Sequence, residues 1–337
     1  MKKFGKAISL VLHPSGNKGA NDPSTAAIQL KPDGTYVLLI GCADIGNGSV
    51  TIMRQIAAET MECPIDNMFC SNFADDFAPL SQGAFASRTT LIDSHAVENA
   101  CNDLKQKIAV WAAEKVWFCT PEEIEISDNM VYVKTDRNNK CLSMKEVGGM
   151  VYAPEMTLDF LVGTGYWNPA PAQGFHDPET GAMPLVKAIS YGACYVEVLV
   201  DTETGVIDIK KCYQTWEVGK AVNPLLVKSQ INGGLSIGIG FTISEDMWPS
   251  SPNMDYVPDR LSDYYVPTFM DYPEDVRYAI EEVPCPNGVK GAKGFSEGSS
   301  NSIGSAVMSA VKDATGIWMD RWPMTPEYVL RKLQGAV

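Results

Sequence analysis

Residues 291–298, Gly-Ala-Lys-Gly-Phe-Ser-Glu-Gly, bring together the residue types in this chain best suited to chemistry. Small residues at 291, 292, 294 and 298 let the backbone pass close to a bulky group, and one carboxylate, Glu297, is carried into the same crowded place. A helix expected from about Ser302 would aim its first N–H groups back at this loop, which suits an anion. A glycine loop carrying one acid toward an anionic ligand is the pattern of a cofactor site with its own base. Residues 294–298 also satisfy the G-x-S-x-G pattern of a serine-hydrolase elbow, which requires a histidine after the serine. His13, His95 and His176 all precede Ser296, so that chemistry fails on chain order unless a partner chain supplies the base. Taken alone, the loop also fits a plain helix cap with a solvated glutamate.

Other loops sit at the starts of expected helices. A strand over 35–41 follows the turn Pro32-Asp33-Gly34 and leads through Asp44-Ile45-Gly46-Asn47-Gly48 into a helix over about 49–62. Gly46, Asn47 and Gly48 either present backbone N–H groups to a ligand or form an ordinary strand–helix turn. Ala86-Ser87-Arg88-Thr89-Thr90 precedes a second helix, expected over about 94–115 with Val97, Ala100, Leu104 and Ile108 as its core stripe. Arg88 suits either a phosphate or a buried carboxylate. His95 lies on this helix and reads as a structural histidine. A hairpin is expected over 124–133, turning at Asp128-Asn129, and a stronger one joins 191–200 to 206–216. Asn223-Pro224 opens a helix to about 240, rich in glycine and isoleucine, with Gln230 on it; so small-faced a helix packs tightly on another element or a ligand. Helices over about 302–314 and 325–333 close the chain.

Glycine, proline and polar residues dominate 163–184, which reads as a loop or lobe boundary between a first lobe (1–162) and a second (185–337). The predicted class is α+β, as two mixed α/β lobes. The 337 residues are 45% hydrophobic, enough for a large core, and carry a net charge of −14. Without a compensating basic run, that charge argues against nucleic acid and anionic membranes as partners. There is no apolar run long enough for a membrane span, and residues 1–12 are too short and too broken by charge for a signal peptide. Nine cysteines lie scattered with no C-x-x-C pair, pointing to reduced thiols and a cytoplasmic setting. Zinc, iron–sulfur and common nucleotide motifs are absent, so a redox role would lean on other chains.

In this order, the loops resemble those of the molybdenum-binding chain of the xanthine dehydrogenase and aldehyde oxidoreductase family. Residues 44–48 are similar to its D-I-G-Q-G loop, and 86–90 to the Ala/Ser/Thr loop that wraps the pterin. Glu217-Val218-Gly219-Lys220-Ala221-Val222-Asn223-Pro224 followed by Gln230 is similar to its acid-x-G-x-x-x-N-P segment. Residues 291–297 resemble its G-A-K-G-x-G-E loop, whose glutamate sits beside the metal. Asn47 stands in place of the usual glutamine and Ser296 in place of the usual glycine. The resemblance runs from about Gly19 to Leu333, and the family's G-G-x-F-G loop is missing, so the chain looks like the second half of a unit whose first half is encoded separately.

The resemblance implies hydroxylation of a small heteroaromatic substrate with water as oxygen source, Glu297 acting as base on a metal-bound hydroxyl. It implies molybdopterin cytosine dinucleotide as cofactor, with molybdenum held by the pterin dithiolene, bearing a terminal selenium or sulfur and taking no protein ligand. Cofactor contacts would come from Gly46, Asn47, Gly48, Ala86, Ser87, Arg88, Thr89, Thr90, Gln230, Lys293 and Gly294. Partners would be a large molybdopterin subunit, a FAD subunit and a 2Fe-2S subunit that passes electrons to NADP. Purines, aldehydes and aryl-CoA thioesters are alternative substrates, and a noncatalytic scaffold completing the large chain is the alternative of another class.

Overall fold

The structure, a computed structural model, describes residues 1–17, 21–71, 78–153, 160–169, 179, 188–247 and 260–336. The chain forms two compact units that interleave in sequence instead of occupying consecutive stretches. One comprises Met1–His13, Ile189–Val283 and Phe295–Val337; the other comprises Pro14–Ala188 and Pro284–Gly294.

The chain opens with β1 (Lys2–Ser15), a long strand that is not among the elements expected from the sequence. The Pro14–Ala188 unit follows with β2 (Ser24–Leu30), β3 (Tyr36–Ile40), α1 (Ser49–Met61), β4 (Met68–Ser71), α2 (Thr89–Ala112), β5 (Ile124–Ser127), β6 (Met130–Val133), β7 (Cys141–Ser143), α3 (Met144–Val151) and β8 (Val162–Trp167). Its main sheet runs β4-β3-β2-β8, with β2 antiparallel to both neighbours and β3 parallel to β4. Ile28, Leu30, Leu38, Ile56, Leu91 and Leu104 lie in its core. The predicted hairpin over 124–133 is present as β5 and β6, inside the small sheet β5-β6-β7.

Two boundaries differ from expectation here. Residues 163–167, read as loop from their glycines, are strand β8. Those glycines permit close packing: a Cβ on Gly163 would lie 2.2 Å from the Ala100 carbonyl oxygen, and one on Gly165 2.0 Å from that of Ala96. Bare backbone thus lets α2 lie directly on the sheet. Most of the rest of 163–184 falls outside the described residues. Helix α2 starts at Thr89, not near Ser94, and ends in a π turn over Ala113–Trp117.

The other unit is built from β1, β9 (Ala188–Asp201), β10 (Ile207–Glu217), α4 (Pro224–Ile239), β11 (Asp275–Glu281), α5 (Gly298–Thr315) and α6 (Pro326–Leu333). Its sheet runs β1-β9-β10-β11, the predicted β9–β10 hairpin being antiparallel and β10–β11 parallel. Val196, Val198, Leu235, Ile239, Ile303 and Val307 form part of one core between sheet and helices. The small face of α4 packs as its composition requires. A Cβ on Gly234 would lie 1.8 Å from Ser299 Oγ, and one on Gly238 2.6 Å from the Ile303 side chain. Asn223 caps α4, its Oδ1 accepting from the Leu226 N–H at 3.1 Å, and Pro224 fills the first turn. Helix α5 begins at Gly298, four residues before the expected start, which places Glu297 at its N-cap.

Candidate active site

Glu297 is set by buried neighbours. Phe295, almost fully buried, leans on the Trp216 indole with ring centroids 5.6 Å apart. Trp216 is fixed in turn by donating from Nε1 to Gln214 Oε1 at 2.9 Å. Glycine is needed at 298, because a Cβ there would lie 2.7 Å from the Trp216 ring and 3.1 Å from His13 Cβ. Glu297 itself remains 49% exposed, and its Oε2 lies 3.3 Å from His13 Nε2 on β1. An imidazole N–H donated to a carboxylate favours one rotamer of it. Gln230 joins the same unit through its backbone: Ser299 Oγ lies 3.0 Å from the Gln230 carbonyl oxygen and 2.7 Å from that of Ser296. The Gln230 side chain is half-buried.

The first N–H groups of α5 are not free for an anion, contrary to expectation. Those of Gly298, Ser299 and Ser300 donate to the carbonyls of Phe295, Ser296 and Glu297 in a tight first turn. The 44–48 loop likewise takes its turn form. Asp44 Oδ1 accepts from the N–H groups of Gly46 and Gly48 at 3.0 and 3.1 Å, its Oδ2 from that of Val50, and Asn47 Oδ1 from that of Ser49. Asp44, given no role of its own by the sequence, is thus the anionic cap of α1. Gly46 has φ +94° and meets no atom within 4 Å of where its Cβ would stand, so open space remains beside this backbone.

The 86–90 loop behaves differently. Ala86 and Ser87 are consecutive non-glycine residues in the left-handed region, each at φ 47°. Such strain persists only where surroundings enforce it, and it concentrates at functional loops. Three neighbours of this unit enforce it here. Gly16 N–H donates to the Ala86 carbonyl at 2.9 Å, and a Cβ on Gly294 would lie 1.6 Å from the Ser87 carbonyl oxygen. Ser15 Oγ then donates to the Gly294 carbonyl at 2.7 Å. Two predicted cofactor loops, 86–90 and 291–294, are therefore in contact. Lys293 is half-buried between buried Ala292 and Gly294.

Arg88 takes the carboxylate alternative. Its fully buried guanidinium donates to Asp22 Oδ1 at 2.5 Å, Asp93 Oδ2 at 3.1 Å and Ser81 Oγ at 2.9 Å. Burial pushes the Asp93 carboxyl up despite the opposing pull of Arg88 and of the Ser24 and Ser81 hydroxyls. The side chain thus shapes the loop from below, while among the described residues no side chain caps the start of α2 at Thr89 and Thr90. By helix geometry that terminus carries N–H groups with no intrahelical acceptor. A strained helix start with no side-chain cap among the described residues fits a phosphate-bearing cofactor. His95 is structural: its Nε2 donates to the Asn287 carbonyl at 2.9 Å and its ring stacks on Trp167.

Comparison with known proteins agrees. The family model of the molybdopterin cofactor-binding domain matches residues 1–273. The chain is 29% identical over 333 residues to a probable hypoxanthine oxidase of Escherichia coli, covering 98% of this chain and 32% of that protein. It is 26% identical to the nicotine 6-hydroxylase large subunit of Paenarthrobacter nicotinovorans, covering 100% of this chain and 41% of that one. Among solved structures it superposes on quinoline 2-oxidoreductase from Pseudomonas putida with a TM-score of 0.82 at 24% identity, covering 99% of this chain and 42% of that chain. The aldehyde oxidoreductase of Desulfovibrio gigas gives 0.78 at 25% identity, with coverages of 99% and 33%. The chain therefore spans about a third to two-fifths of the length of these relatives. With its mixed α/β fold matching theirs and the domain model covering most of its length, the chain belongs to the xanthine dehydrogenase and aldehyde oxidoreductase family as a molybdopterin cofactor-binding domain.

Proposed function

We propose that this chain is the base-bearing part of a multi-chain cytoplasmic molybdenum hydroxylase acting on a nitrogen heterocycle. The specific reading is nicotinate dehydrogenase, in which nicotinate, water and NADP⁺ give 6-hydroxynicotinate, NADPH and a proton. A large molybdopterin subunit, a FAD subunit and a 2Fe-2S subunit complete the complex. The observation that carries this reading is Glu297, half-exposed, held by His13 and seated beside buried Phe295 and Trp216.

Molybdopterin cytosine dinucleotide, when bound, supplies the two-electron oxidation, with selenium or sulfur on its metal. Everything else falls to side chains and backbone. Glu297 takes a proton at its carboxylate from the water-derived oxygen as that oxygen attacks the ring carbon beside the nitrogen. Half-exposure leaves the carboxylate within reach of substrate and water, while His13 restrains its side chain. The α2 start, with Ser87, Thr89 and Thr90 hydroxyls nearby, offers donors to a phosphate or pterin edge. The empty space beside Gly46, the Asn47 amide nitrogen, the half-buried amide of Gln230 and the 293–294 backbone are the remaining cofactor contacts in this reading.

Glu297→Gln in the intact complex tests it. The variant should keep its molybdenum and lose turnover by about 10²–10⁴-fold, the usual worth of a positioned base. Normal turnover in that variant would leave the chain a noncatalytic scaffold. Relatives described as a probable hypoxanthine oxidase and as an aldehyde oxidoreductase support a second reading, with a purine or aldehyde as substrate. Comparing kcat/KM for nicotinate, hypoxanthine, an aldehyde and an aryl-CoA thioester separates these.

A further inference from the structure

Strand β1 is the outermost strand of its sheet and is covered on one face only. Residues of alternating parity divide sharply along it. Gly5 is pressed so close to α5 that a Cβ would lie 2.1 Å from the Ala310 carbonyl oxygen, and His13 is buried. Every second residue points the other way: Phe4 is 52% exposed, Ile8 66%, Leu10 81% and Leu12 64%. With about 3.4 Å per residue these four side chains form one row of roughly 27 Å, interrupted only by Lys6. Tyr191, on the neighbouring strand β9, is also exposed. Exposed apolar residues scattered singly are ordinary, whereas a continuous row on a sheet face marks an interaction surface.

The backbone edge of β1 is partly closed. Asp313 on α5 accepts from the Lys6 N–H at 3.0 Å, so a carboxylate occupies a place where an added strand would pair. What remains on offer is the face, suited to an apolar helix or sheet from another polypeptide. We propose that the Phe4–Ile8–Leu10–Leu12 face of β1 is the docking surface for the larger molybdopterin-binding chain, the part of the unit that relatives carry in the same polypeptide. This rests on the multi-chain reading above and adds to it the surface through which the chains join. The occupant follows from length and charge. This chain spans less than half the length of its relatives, and in the multi-chain reading the rest of such a unit is the larger chain. A second copy would add none of that missing length, and two chains of net charge −14 repel each other.

The test uses the complex purified from its native host through a tag on this chain, with wild type compared to Ile8→Asp, Leu10→Asp and the conservative Leu10→Ile. Because both positions are exposed, the isolated aspartate variants should keep their circular dichroism and a melting midpoint within about 2 °C of wild type. Wild type and Leu10→Ile should retain, near one-to-one, a larger chain whose peptide masses match the remaining length of the relatives. The aspartate variants should retain at least about tenfold less of it, as expected when a residue at the centre of a buried patch is made charged. Undiminished retention in both aspartate variants would overturn the docking surface and leave the multi-chain reading standing. Wild type retaining no such chain would overturn both. A wild-type dimer in sedimentation that the aspartate variants dissociate would assign the face to a second copy, and the proposal would fall.

Discussion

Replacing Arg88 tests whether the 86–90 loop is held from below by buried charge. The guanidinium is wholly buried, and its partners Asp22 and Asp93 are 1% and 3% exposed. Arg88→Ala leaves two carboxylates in the interior without their cation, and removing one partner of a buried pair costs about 3–5 kcal/mol. With two acids orphaned by one change, the upper half of that range applies. At about 2–4 °C per kcal/mol for a unit of this size, the melting midpoint should fall by roughly 10–15 °C. Arg88→Met fills most of the vacated volume, so a similar loss in it would assign the effect to charge and not to a cavity.

The pH dependence has a definite sign. Burial already pushes the Asp93 carboxyl above its unfolded value with Arg88 present, and losing the cation pushes it further. A carboxyl whose folded pKa is raised leaves stability intact below the unfolded value, near 4, and withdraws it as pH rises through the folded one. The deficit of Arg88→Ala against wild type should therefore be largest at pH 7 and shrink toward pH 4. Urea denaturation followed by tryptophan fluorescence at both pH values measures it. A deficit below about 1 kcal/mol at pH 7, or one that grows on acidification, would refute the argument.

Asp44→Ala removes the acceptor for three N–H groups at the start of α1 and should cost about 1–2 kcal/mol, with amide exchange faster at Gly46, Gly48 and Val50 and unchanged in α4. If Glu297 is the base and His13 orients it, His13→Ala should lower kcat about 10–100-fold with molybdenum content intact, and His13→Gln should restore much of the loss; equal activity in all three proteins would exclude the positioning role. Burial pushes the Cys63 thiol up to about 11 and Cys70 up to about 12, so at pH 8 both should react with a disulfide reagent at least about 100-fold more slowly than free cysteine until denaturant is added.

The sequence was most legible where one periodicity or one turn signal dominates. The alternation in β9 and β10 around Asp201–Gly205, the β5–β6 turn at Asp128-Asn129, and the Asn223-Pro224 start of α4 all stand where they were expected. Glycine misled in β8, because Gly163 and Gly165 serve close packing on α2 and not chain reversal. Serines misled at α5: with Ser299, Ser300 and Ser302 within four positions, cap signals recur, and the helix in fact begins at Gly298. Strand β1 was missed because its apolar residues point outward, reversing the usual relation between alternation and core. The nearness of His13 to Glu297 had no sequence signal at all. It depends on β1 joining β9 in a sheet on which α5 packs, and 284 positions separate the two residues.

The candidate loops differ in how their helix starts satisfy their first N–H groups. Each of three helix starts looked equally able to receive an anion. Two of them answer their own polarity: α1 with the Asp44 carboxylate, and α5 with carbonyls of its preceding residues. An anion at either place would have to displace a bond already made at no cost in translational entropy. The start of α2 has no side-chain cap among the described residues, and it follows two consecutive residues, Ala86 and Ser87, in a strained conformation. Arg88 is not a cation for a phosphate here, because it is turned inward to two acids. A ligand there would therefore meet oriented N–H dipoles and hydroxyls, an environment whose geometry is fixed before the ligand arrives. On that reasoning Thr89 and Thr90, not the more conspicuous glycines at 46 and 48, are the positions where substitution by a bulkier or acidic residue should most reduce cofactor retention.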